Sequence, residues 1–121
     1  MEDKIQIILT YADHFDVKVT FNKDDETKKI CHATNDFWGG SEDRLSESDD
    51  CIYKCVTRLI ADEIIKLQMR TSFNCGEESA IKAFNEGIEG FYPIDGTCGI
   101  KLDYCDDFEL RYLDVEYEIK E

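Results

Sequence analysis

CIYKCVTRLIADEIIKLQMR, residues 51–70, decides the fold. Ile52, Cys55, Val56, Leu59, Ile60, Ile64 and Leu67 recur at steps of three and four, which places them along one face of a helix. Such a stripe over twenty residues predicts a central core helix from Cys51 to about Arg70. Cys51 and Cys55 lie one turn apart on it and read as small buried apolar residues.

Before this helix, residues 41–50 (SEDRLSESDD) are polar and acidic, and are expected to form a loop or a weak first turn with Ser46 or Ser48 as cap. Gly39-Gly40 ends an earlier helix, capped by Asn22 or Asp24 and carrying acids in its first turn, where the helix dipole favours them. Ile30, Ala33, Phe37 and Trp38 are its expected apolar stripe. Residues 4–10 and 16–22 are short and β-branched, and in the second Val17, Val19 and Phe21 alternate with Lys18 and Thr20. With Tyr11 to Phe15 between them, they predict an antiparallel pair.

After the central helix, Asn74-x-x-Glu77 has capping-box spacing and opens a shorter helix, Glu77 to Asn85, with Ala80, Ile81 and Phe84 inward. Gly87 and Gly90 end it, Tyr92-Pro93 must be extended, and Asp95-Gly96 marks a tight turn. Two strands follow: Gly99 to Cys105, with Ile100, Leu102 and Tyr104 on one face, and about Leu110 to Ile119, with Leu113, Val115, Tyr117 and Ile119 on one face. The order β-β-α-α-α-β-β predicts an α+β fold, a four-stranded antiparallel sheet packed against about three helices. A length of 121 residues predicts a single domain over 1–121.

The chain carries 28 acidic against 14 basic residues, a net charge of −14. That excludes direct nucleic-acid or anionic-membrane binding, which needs Lys and Arg facing phosphates. Residues 30–63 and 95–121 hold eleven of the fourteen excess charges. Asp114, Glu116 and Glu118 alternate with the apolar face of the last strand, so they project together at a repeat of roughly 6.6–6.8 Å. Asp103, Asp106, Asp107 and Glu109 extend this row, interrupted only by Arg111. Carboxylates at strand spacing imitate a row of phosphates, with Glu42, Asp43, Glu47, Asp49 and Asp50 as a second patch. Phe108 and Tyr112 are candidate interface anchors within the row, or ordinary core residues. Acidic faces also serve solubility alone, and charged edges block strand pairing.

No phosphate loop or dinucleotide fingerprint is present. His14 and His32 lack spaced metal partners, and Cys31-His32 beside Cys51 and Cys55 is a weak imitation of a zinc site. Asp49-Asp50 and Asp106-Asp107 lack the alternating spacing of a calcium loop. No catalytic function and no cofactor are expected. The start, Met1-Glu2-Asp3-Lys4, is acidic, no apolar run matches a signal or membrane span, and the six cysteines are expected reduced in a cytoplasmic protein.

Phe37-Trp38-Gly39-Gly40, the central helix, Ala83-Phe84-Asn85-Glu86-Gly87, Glu89 to Gly96 and Gly99-Ile100-Lys101-Leu102 resemble a family of small acidic phage and prophage proteins classed as a domain of unknown function. The resemblance spans residue 36 onward and carries no catalytic motif. It implies an anti-defence context: an anti-CRISPR type of inhibitor whose partner is a basic host protein, a CRISPR effector or restriction enzyme subunit. A second expectation is a structural or regulatory interaction module, possible as a homodimer through the sheet edge, whose acidity is solvation, and a third, which no motif nominates, is a small metal-assisted or thiol enzyme.

Overall fold

The computed structural model describes residues 3–11, 15–70, 77–106 and 118–120. Its elements are β1 (Lys4–Tyr11), β2 (Phe15–Asn22), α1 (Asp25–Phe37), α2 (Ser41–Glu47), α3 (Ile52–Arg70), α4 (Glu77–Gly87) and β3 (Ile100–Cys105). The α+β class holds. Among the described residues the sheet has three antiparallel strands in the order β1-β2-β3, and there are four helices rather than three.

The central strand sets the core. Phe15, Val17, Val19 and Phe21 alternate inward and are completely buried, as the period-two pattern predicts. β1 pairs with β2 in unbroken register from Lys4 opposite Asn22 to Tyr11 opposite Phe15. β3 pairs on the other side, with a register shift between Lys18 and Val19. The shift makes Asp103 the extra residue of a bulge and turns the following side chains over. Tyr104, expected inward with Ile100 and Leu102, therefore points outward, and Cys105 is buried instead.

α3 lies across β1 and β2 with Ile52, Cys55, Val56, Ile60 and Ile64 buried, the stripe read from its sequence. It begins at Ile52; the Cys51 carbonyl accepts from the Cys55 N–H, so neither Ser46 nor Ser48 is its cap. α4 packs against β3 with Ala80 and Phe84 buried.

α1 departs from expectation on which face is inward. Asp24 caps it, accepting from the Thr27 N–H at 2.7 Å. Its buried side chains are Thr27, Cys31, Thr34 and Asn35, while Ala33 is exposed and Phe37 is 49% exposed. Polar residues can face the interior because their donors and acceptors are used locally. Thr34 Oγ1 donates to the Ile30 carbonyl at 2.9 Å, and Asn35 is bonded on both sides of its amide.

The acidic stretch expected as a loop contains α2. Gly40 opens it with φ +78°, a left-handed conformation that glycine adopts without strain. Glu42 and Asp43 occupy the first turn, where the dipole favours them. The expected strand over 110–119 lies mostly outside the described residues; Glu118, Ile119 and Lys120 are not in a strand, and Ile119 is 86% exposed, so it does not share a buried face.

Candidate functional site

The best-defined surface is the corner formed by the end of α1, α2 and the first half of α3. Arg44 holds it together. Its Nε donates to Asn35 Oδ1 at 2.9 Å and its Nη1 to the Gly39 carbonyl at 3.0 Å. Nη2 reaches the carbonyls of Asn35, Trp38 and Gly39 at 3.2–3.3 Å. These carbonyls end α1, which has no basic residue in its last turn. A guanidinium delivered from α2 serves orphan acceptors that a helix end must otherwise leave to water.

Aromatic rings continue the corner. Trp38 packs edge-on against Phe37 (5.0 Å between centroids) and at a 47° tilt against Phe91 (5.7 Å), and Phe91 meets Phe84 at 5.1 Å. Gly90, at φ +88°, lies so close to the Phe37 ring that a Cβ there would overlap it. The Trp38 indole N–H is buried without a hydrogen-bond partner among the described residues. Beside these rings is a cleft of about 260 Å³ lined by Trp38, Arg44, Leu59, Asp62, Glu63, Lys66 and Phe91. Burial raises the Asp62 carboxyl above its ordinary value, against the lowering pull of Arg58, Lys66 and Arg44. A second hollow of about 250 Å³ lies between α2 and α3, where Arg58 Nη1 is 3.5 Å from Glu47 Oε2.

The acidic patch of residues 42–50 is displayed on the outside of this corner. Glu42 and Asp43 are exposed on α2, and Glu47 ends it. Asp49 and Asp50 both have positive φ, 59° and 58°, in the turn into α3. Asp49 pairs with Lys54 at 2.9 Å, whereas Glu42, Asp43 and Asp50 make no ion pair among the described residues.

The C-terminal row is differently placed. Asp103 Oδ2 accepts from Gln6 Nε2 at 2.9 Å and from Thr20 Oγ1, so its carboxylate is tied across all three strands. Asp106 Oδ2 accepts from the Asp16 N–H at 2.9 Å and its Oδ1 from the Tyr104 hydroxyl. That last bond pushes the Tyr104 phenol up to about 12. Lys18 Nζ stands 5.4 Å from the Tyr104 ring centre, so this face also carries positive charge. Glu118 is exposed, 3.8 Å from Lys120 Nζ. Asp107, Glu109, Asp114, Glu116, Phe108 and Tyr112 lie outside the described residues, as does His14.

Of the five described cysteines Cys31, Cys55 and Cys105 are buried, while Cys98 and Cys51, the latter expected in the core, are only partly buried. Burial pushes the Cys31 thiol up to about 12, and the nearby Cys51 adds to this. Among the described residues no three His, Cys, Asp or Glu side chains are grouped to share a metal ion. No helix among them is long and apolar enough to cross a membrane.

The family model described as Protein of unknown function (DUF2528) matches residues 16–117. The chain belongs to the DUF2528 family. No curated protein and no solved structure matches it. The DUF2528 match begins after β1 and includes the whole corner. Phe37-Trp38-Gly39-Gly40 and Glu89-Gly90-Phe91, far apart in the sequence, meet there ring against ring. Arg44 and Asp62 are the corner residues that charge and motif spacing do not single out; the signal for the corner is the Phe37-Trp38-Gly39-Gly40 run, which includes Trp38.

Proposed function

We propose that the protein is a non-enzymatic inhibitor, encoded by a phage or prophage and acting in the host cytoplasm, of the anti-CRISPR type. It occupies a basic nucleic-acid-binding surface on a CRISPR effector or restriction enzyme subunit. What carries this reading is the α2 corner: Glu42, Asp43 and Asp50 are exposed and make no ion pair among the described residues, on a net charge of −14, and Arg44 braces from within the helix that displays Glu42 and Asp43. Rigidly held carboxylates at unpaired surface positions accelerate encounter with a basic partner and suppress acidic ones. The C-terminal acids Asp114, Glu116 and Glu118 form the second contact in this scheme.

A second reading is an acidic interaction module without mimicry. It is favoured by Asp103 and Asp106, whose carboxylates are spent on the sheet itself. Two charge-reversal variants separate the readings: Glu42, Asp43 and Asp50 to Lys, and Asp114, Glu116 and Glu118 to Lys. Under mimicry, either triple variant loses competition with duplex DNA for the target, and wild-type binding weakens steeply with salt. Unchanged competition in both overturns mimicry.

A further inference from the structure

We propose that the cleft between Trp38, Phe91 and Asp62 is an arginine-binding notch: one arginine side chain of the partner lies across the rings and pairs with the Asp62 carboxylate. This deepens the reading above and rests on its basic partner. The cleft holds about 260 Å³. Sites for whole small molecules run to roughly 300–1,000 Å³, so this volume suits a single side chain. Its walls divide by chemistry. Trp38, Leu59 and Phe91, each half-buried, form the apolar side, with the Trp38 and Phe91 ring centres 5.7 Å apart. Asp62 and Lys66, one turn apart on α3, stand exposed on the other side. A planar cation on an alkyl stem matches both walls.

Asp62 bonds nothing in the described fold: it makes no hydrogen bond and no ion pair among the described residues. The cations around it are engaged elsewhere. Arg44 turns its guanidinium to Asn35 and the carbonyls that end α1, and Arg58 faces Glu47 at 3.5 Å. Although Asp62 opens to solvent, the bulk of the corner around it disfavours its charge. A carboxylate that costs the fold and bonds nothing described in it is the mark of a binding site more than of a scaffold. Trp38 carries a similar mismatch. Its indole N–H has no partner among the described residues, so packing alone does not call for an indole there, whereas an indole face attracts a cation more strongly than a phenyl face. Asp62 also lines the second hollow, together with Asp43 and Glu47. The notch is thus continuous with the acids of α2, and a basic surface that meets those acids brings its arginines to it.

Trp38 is the single tryptophan of the chain, so its indole resonance reports on this cleft alone. The test titrates the isotope-labelled full chain with the end-blocked tripeptide glycyl-arginyl-glycine and follows that resonance by NMR. Saturable movement is expected, with the citrulline tripeptide, equal in shape but uncharged, at least about tenfold weaker. Asp62→Asn, which removes a disfavoured charge at an exposed position, is expected to weaken the arginine peptide by at least about tenfold with the rest of the spectrum unchanged. No movement, equal affinity for the citrulline peptide, or unchanged affinity in well-folded Asp62→Asn overturns the notch. Movement caused by inorganic phosphate and abolished by Lys66→Ala overturns it too, by making the cleft an anion site. Arginine-peptide binding in a protein that fails to displace DNA from a defence nuclease removes the inhibitor reading and leaves the notch. Displacement of DNA without peptide binding removes the notch and leaves the acidic patch.

Discussion

Arg44 Nε lies 2.9 Å from Asn35 Oδ1, while Nη2 of the same guanidinium bonds the Asn35 backbone carbonyl at 3.3 Å. Asn35 is only 2% exposed, and its Nδ2 in turn donates to the Ser41 carbonyl at 3.1 Å. One amide and one guanidinium thus fasten α1 to α2 and fix the angle at which the acidic helix leaves the core.

Arg44→Lys is expected to destabilise the protein almost as much as Arg44→Ala, by roughly 2–3 kcal/mol, because one ammonium cannot replace a fork that serves an amide and three carbonyls at once. Urea unfolding of both variants reads the loss. Full rescue by lysine contradicts the fork.

Trp38→Phe should cost under about 1 kcal/mol, because it removes a buried N–H that has no partner among the described residues, along with some ring area. Trp38→Ala should cost about 3–5 kcal/mol by emptying the space between Phe37 and Phe91. Thermal unfolding of the pair separates ring packing from the indole donor.

Gly99→Ala should destabilise by more than about 2 kcal/mol. Gly99 has φ +84°, and an added Cβ would run into the Thr27 side chain on α1, while its carbonyl holds the Asn22 N–H at 2.8 Å. Equal stability of the variant would mean that α1 is not seated on this turn.

Two carboxyls give opposite pH effects. Hydrogen bonds from the Thr27 N–H and then its hydroxyl hold Asp24 below its ordinary value of 3.8. Its stabilisation is full above that value and is lost as pH falls through the lower folded value. Asp24→Ala should therefore lower stability at neutral pH and converge on wild type in acid. Asp62 is raised by burial, so ionising it disfavours the folded state as pH rises. Asp62→Asn should raise the urea midpoint at pH 7, and the gain should vanish below about pH 4.

How much of this was legible depends on what each element uses to hold itself. β2 and α3 bury their apolar periodicity directly, so Val17, Val19, Phe21 and the Ile52–Ile64 stripe could be read from spacing. α1 buries Thr27, Thr34 and Asn35, whose suitability for the interior depends on partners supplied locally or from α2, and spacing cannot show that. α2 has Leu45 as its single apolar residue, so no periodicity marks it; what fixes it is Arg44. The bulge at Asp103 turned Tyr104 outward, since one extra residue reverses every later side chain. The acidic patch of residues 42–50 was legible as charge, and its placement on a braced corner was not.

The most direct measurement of the central proposal is competition. A purified nucleic-acid-binding defence nuclease, a CRISPR effector first, is loaded with labelled duplex DNA and titrated with wild type and with the Glu42/Asp43/Asp50 triple lysine variant at low and high salt. Displacement by wild type at low salt, lost in the variant and suppressed by high salt, is the predicted result. Displacement that is equal for wild type and variant, or binding that salt leaves unchanged, would contradict it.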